Sequence, residues 1–114
     1  MKSKQTLFIG LAALLTFFLL SSFHSQQQSP NYLTVKTIEF YGGMFDSKIT
    51  VVDENGKIEE FELDKLRAKN LVENTKKIND VFNSLSKKGY VLVNSTSAGF
   101  MTDGLLNTFI FEKK

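Results

Sequence analysis

The chain contains no cysteine and no tryptophan, and only one proline and one histidine, among 114 residues. Without Cys there is no disulfide, no thiolate nucleophile or metal ligand, and no lipid-modified cysteine anchor. The one histidine, His24, falls in a stretch read below as an export signal, so the rest of the chain has no imidazole either. Ser-His and Cys-His catalytic pairs are thereby excluded from residues 26–114, as are the usual zinc ligand sets. An excess of charge is missing as well. Removing Lys2 and Lys4 with the signal leaves 12 of the 14 basic residues, against 12 acidic ones. That balance argues against a nucleic-acid partner or an anionic membrane surface, whose attraction draws on clustered cations. The pairs Lys76-Lys77, Lys87-Lys88 and Lys113-Lys114 read as solvated faces.

What is present begins with an address. Lys2 and Lys4 form a basic start, Leu7 to Leu20 an apolar stretch, and Ser21 to Ser25 a small-residue exit interrupted by Phe23 and His24. The stretch is shorter than the roughly 18 residues expected of a spanning helix and is diluted by Gly10 and Thr16. Residues 1–25 are therefore expected to be a cleaved signal peptide, with the cut after Ser25 and Ser22 as the rival position. An uncleaved Leu7 to Phe23 segment holding the protein in a membrane is the alternative. The expected location is exported, periplasmic or secreted, and the absence of Cys fits a bacterial source better than an animal one. Residues 26–30, Gln-Gln-Gln-Ser-Pro, form a polar leader, and residues 31–114 a single small domain.

The domain reads as α+β, a five-stranded, mostly antiparallel sheet with one helix on one face. Asn31 to Tyr41 has strand composition and is stopped by Gly42-Gly43. Lys48 to Asp53 and Lys57 to Leu63 flank Glu54-Asn55-Gly56, a hairpin with Gly56 in the left-handed position. Asn70 followed by Glu73 has capping-box spacing and predicts a helix from Leu71 to about Lys88. Its apolar stripe is Leu71, Ile78, Val81, Phe82 and Leu85, with Gly89 as the C-terminal stop. Tyr90 to Asn94 and Leu105 to Glu112 read as two more strands, joined by a Ser/Thr/Gly-rich loop from Ser95 to Gly104. The order is strand, hairpin, helix, hairpin.

Leu85-Ser86-Lys87-Lys88-Gly89-Tyr90, followed by Val91-Leu92-Val93-Asn94-Ser95 and a closing Phe109-Ile110-Phe111-Glu112-Lys113-Lys114, resembles small bacterial domains that have no established activity. Those have a first strand, a helix, Gly followed by Trp or Tyr, a Leu-Val strand and a last strand ending in Phe and a basic residue. The likeness covers Tyr32 to Tyr41 and about Asn74 to Lys114. The chain departs from the pattern by inserting the Lys48 to Leu63 hairpin and by carrying Tyr90 where Trp is commoner. The resemblance implies the fold and no mechanism.

No cofactor, metal site or catalytic residue is expected. Glu59, Glu60, Glu62, Asp64 and Asp103 supply the one remaining catalytic chemistry, a carboxylate pair about 5 to 9 Å apart for cleaving an envelope glycan or polymer. Asp53, Asn55 and Gly56 are a turn rather than a calcium loop, since ligands at the later positions are missing. Two features point instead to binding. Gly42-Gly43-Met44-Phe45 and Gly99-Phe100-Met101 each place an aromatic and a Met beside glycine, which suits adaptable apolar contact. The strands also look apolar on both sides, whereas one helix covers only one face. The uncovered face is expected to meet the hairpin of the same chain, a second copy forming a homodimer, or a partner protein or apolar ligand. The expected function is a non-enzymatic binding or interaction module, with Met44, Phe45, Phe100 and Met101 as candidate partner-binding residues.

Overall fold

The computed structural model describes residues 31–114. The expected signal peptide and polar leader lie outside the described residues. Strands β1 (Tyr32–Phe40), β2 (Lys48–Val52) and β3 (Ile58–Glu62) are followed by a 3₁₀ turn (Ala68–Asn70) that runs directly into helix α1 (Leu71–Lys87). Strands β4 (Tyr90–Phe100) and β5 (Gly104–Lys113) complete the domain. All neighbours are antiparallel, in the order β3-β2-β1-β5-β4.

Period-two alternation sorts the strand side chains between two faces. Leu33 and Val35 of β1, Ile49 and Val51 of β2, and Phe109 and Phe111 of β5 meet Ile78, Val81, Phe82 and Leu85 of α1. Phe82 sets its edge against both Phe109 and Phe111, with ring centroids 4.9 and 5.3 Å away. Such pairs contribute about 0.5–1.5 kcal/mol beyond the area they bury. The helix stops where Gly89, at φ +91°, takes the left-handed conformation and donates its N–H to the Ser86 carbonyl. The Gly56 turn is likewise left-handed, at φ +81°, and Asp53 Oδ1 accepts from the Asn55 and Lys57 N–H groups across it.

Three expectations need correction. Ser95 to Phe100 is strand, not loop: β4 runs unbroken to Phe100, with a bulge between Leu92 and Asn94, and only Met101–Asp103 turn. Ser and Thr are tolerated because β4 is an edge strand whose residues after Tyr90 are all exposed. Asn70 does not cap α1. The preceding 3₁₀ turn holds it near helical dihedrals, φ −100° and ψ −4°, and its amide donates to the Lys65 carbonyl, whereas capping needs an extended residue. Leu71 is exposed, and the place at the start of the buried stripe belongs to Asn74.

The far face is divided: Ile58, Val52 and Ile110 on one side and Ile38 and Leu106 on the other keep it partly apolar, as expected, but a polar row separates them. Cross-strand partners place Glu60, Thr50, Lys36, Thr108 and Thr96 in one row across its middle. The Lys48–Glu62 hairpin extends the sheet edgewise instead of folding over that face, and α1 packs on the opposite side. This is the half-wet arrangement usual for antiparallel sheets.

Candidate partner-binding tip

Because β1 runs antiparallel to β5, and β5 to β4, the end of β1, the start of β5 and the end of β4 arrive at one end of the sheet. Phe40, Gly104 and Phe100 are partners across these strands. Any Cβ at Gly104 would collide with the Phe100 carbonyl oxygen and approach the Phe40 ring to 2.9 Å. Glycine there lets the Phe40 ring lie flat across the strand, only 4% exposed. Phe45 and Phe100 flank that ring, with centroids 5.3 and 6.0 Å from it.

The β1–β2 loop and the β4–β5 turn are tied together at this point. The Tyr41 N–H donates to the Asp103 carbonyl at 2.9 Å, and the buried Phe40 N–H donates to Ser47 Oγ at 2.8 Å. Phe40 also accepts, through its carbonyl, from the Leu66 N–H at 2.9 Å. Its backbone is therefore satisfied on both sides, as burial requires.

Around this anchored ring the remaining side chains point outward. Met44 is 87% exposed, Met101 62%, Phe45 45% and Phe100 38%. The structure brings all four sequence-chosen residues to one tip: Phe45 and Phe100 keep one side against Phe40, while both methionines stand free. Met101 sits at φ +58°, a region unfavourable to a bulky side chain by about 1–2 kcal/mol. Two members escaped the sequence reading. Phe40 is the hub, and Tyr41, also exposed, has the Arg67 guanidinium 5.8 Å above its ring. Both lie at the tail of a strand, where period-two alternation ceases to tell inward from outward. The glycine at 104 is the one signal for Phe40.

Beneath the tip lies a buried polar latch. Asn74, 2% exposed, accepts through Oδ1 from the Asp64 N–H at 2.9 Å. Its amide nitrogen donates to the Asp64 carbonyl at 2.8 Å and to the buried Glu39 carboxylate at 3.3 Å. One side chain thus fastens the start of α1 to the chain leaving β3 and to β1. The opposite end of the sheet is held differently: the Tyr90 hydroxyl donates to the Glu54 carboxylate at 2.6 Å. That bond, with burial second, pushes the Tyr90 phenol up to about 12; the same bond, against the opposing effect of desolvation, holds the Glu54 carboxyl below the usual carboxylate range.

The candidate catalytic carboxylates do not converge as a set, although Glu60 and Glu62 share one groove. Glu60 and Glu62 lie on the far face, opposite Thr50 and Lys48, and Glu59 on the helix side, opposite Val51. Asp64 belongs to the β3–α1 connection and Asp103 to the β4–β5 turn. Glu60, Glu59 and Asp64 each have a lysine at hand, Lys48 at 3.1 Å, Lys57 at 3.7 Å and Lys77 at 3.7 Å. Among the described residues no group of three or more Asp, Glu or His could hold a metal ion. A cavity of about 100 Å³ lies between α1 and the β2–β3 hairpin, floored by Leu33, Val51, Leu85 and Tyr90. It is well below the 300 Å³ or so of a small-molecule site, whereas a wider and more open groove of about 670 Å³ runs between β3 and α1, lined by Glu60, Phe61, Glu62, Lys77, Asp80 and Ser84.

The fold thus defines an α+β domain with a five-stranded antiparallel sheet and one packed helix. Comparison with protein-family models, curated proteins and solved structures gives no match to the chain.

Proposed function

We propose that this chain is a non-enzymatic binding module of bacterial type, exported by its N-terminal segment, which captures a partner protein or apolar ligand through the tip. The observation that carries this reading is the exposed set Tyr41, Met44, Phe45, Phe100 and Met101, assembled from two loops around the buried Phe40 ring. Scattered exposed apolar residues are ordinary, but a group contributed by two loops marks an interaction site. Met supplies a flexible, polarisable contact and the aromatic rings supply area at low entropic cost. Holding Met101 in a left-handed conformation costs stability, and the cost is repaid if display of its side chain serves binding.

The test is the double substitution Met44→Ser with Met101→Ser. Both side chains stand in solvent, so the thermal midpoint should stay within about 3 °C of the parent. Capture of the partner from an envelope extract, and enhancement of the fluorescence of an apolar dye, should both be lost. Unchanged capture by the double variant contradicts the proposal.

A further inference from the structure

The two edges of the sheet are built on opposite plans. Strand β3, one edge, is five residues long and carries Glu59, Glu60 and Glu62. Strand β4, the other, is eleven residues long, Tyr90 to Phe100, and carries no charge at all. Short length and charge are the devices by which proteins protect a sheet edge from pairing with another chain. β3 has both. β4 has neither, and among the described residues it pairs with β5 alone. Its one irregularity, the bulge between Leu92 and Asn94, leaves Asn94 to Phe100 as seven regular residues.

We infer that β4 pairs antiparallel with β4 of a second copy of this chain, giving a two-fold dimer with a continuous ten-stranded sheet. The choice of occupant rests on self-complementarity. A two-fold pairing of Asn94–Phe100 about its middle residue sets Ser97 opposite Ser97, Thr96 opposite Ala98 and Ser95 opposite Gly99. Each pair shares a face: β5 partners place Ser95, Ser97 and Gly99 on the helix side and Thr96 and Ala98 on the far side. No pair brings like charges together, and residues 31–114 carry 12 basic and 12 acidic residues, so two copies approach without net repulsion. Assembly stops at two, because the edges left outside are both β3, with three glutamates each. The dimer shares one residue with the tip, Phe100, which ends the paired segment opposite Asn94 of the second copy, whereas Ser97, at the middle of the segment, is no part of the tip.

Sedimentation of residues 31–114, which contain the whole described core and sheet, tests this between about 1 μM and 1 mM, a range that covers weak homodimers. The expected result is a rise from one chain mass to two and no further. Ser97→Lys, which sets two ammonium groups opposite each other, should hold the protein at one chain mass. Ser97→Ala, which removes only the side-chain bond from Ser97 to Asn107, should leave the rise intact. Mixing Ser97→Lys with Ser97→Asp chains should restore the two-chain species. A single chain mass for the parent at the highest concentration overturns the inference, as does growth beyond two chains. So does a dimer that survives Ser97→Lys with unchanged affinity.

Discussion

The two ends of this sheet solve the same problem, tying loops from separate strands together, by opposite chemistry. At the β2–β3 end the fastening is polar and on the surface: Asp53 accepts from Asn55 and Lys57, and Tyr90 reaches across to Glu54. At the other end it is aromatic, with Phe40 gripped by Phe45 and Phe100 over a glycine, and the polar latch of Asn74, Glu39 and Asp64 lies buried beneath. The first arrangement presents charged turn residues to water, with the exposed Tyr32, Ile58 and Val91 set on the strands beside them. The second leaves Tyr41, Met44 and Met101 with no use inside the fold. An end that could have been closed with charged turn residues is instead closed with aromatic and methionine side chains, and the proposed binding role rests on that difference.

The comparison is broken most severely at the tip's foundations. Phe40→Ala should destabilise the domain by about 3–5 kcal/mol in denaturant titration, because a nearly buried aromatic ring is replaced by a cavity between two others. Asn74→Ala should cost about 2–4 kcal/mol, since it removes three hydrogen bonds and leaves the buried Glu39 carboxylate without its amide partner. If either variant melts like the parent, the tip is not built as described.

The β2–β3 end should respond more weakly and with a pH signature. The Tyr90 phenol, raised from 10.0 to about 12, keeps its proton in the folded chain over a range where the unfolded chain loses it. Its contribution to stability is complete below pH 10 and is lost as the pH climbs to about 12. Tyr90→Phe should lower the thermal midpoint by less than about 5 °C at pH 7 and flatten this alkaline loss. The depressed Glu54 gives the opposite sign at acid pH: stability is present above 4.5 and is lost as the pH falls through its lowered value.

The smallest effect should also be the most telling. Met101→Gly relieves a left-handed conformation and should leave stability unchanged or raised by up to about 1 kcal/mol, while partner capture falls. Equal stability and equal capture would show that the strained methionine has no role at the tip.

Much of this architecture is legible in the sequence because it rests on local signals. Gly56 and Gly89 announce their turns, the spacing of Ile78, Val81, Phe82 and Leu85 announces the helix, and the coming together of the Met44-Phe45 and Phe100-Met101 loops follows once β1 is placed antiparallel to β5. What escaped depends on distant partners. Ser95 to Phe100 has turn-forming composition, yet β5 offers a complete ladder for it, so tertiary pairing overrides local preference. Asn74 looks like a surface residue until Asp64 and Glu39 are brought beside it. Phe40 gains its central place only through a glycine 64 positions later.

The central claim is tested most directly by placing a photo-cross-linking residue at position 44, in the tip, or at position 55, in the β2–β3 turn, in cells that produce the protein. Covalent adducts to a partner from position 44 and none from position 55 are the predicted result. Adducts of equal yield from both ends, or none from position 44, would contradict it.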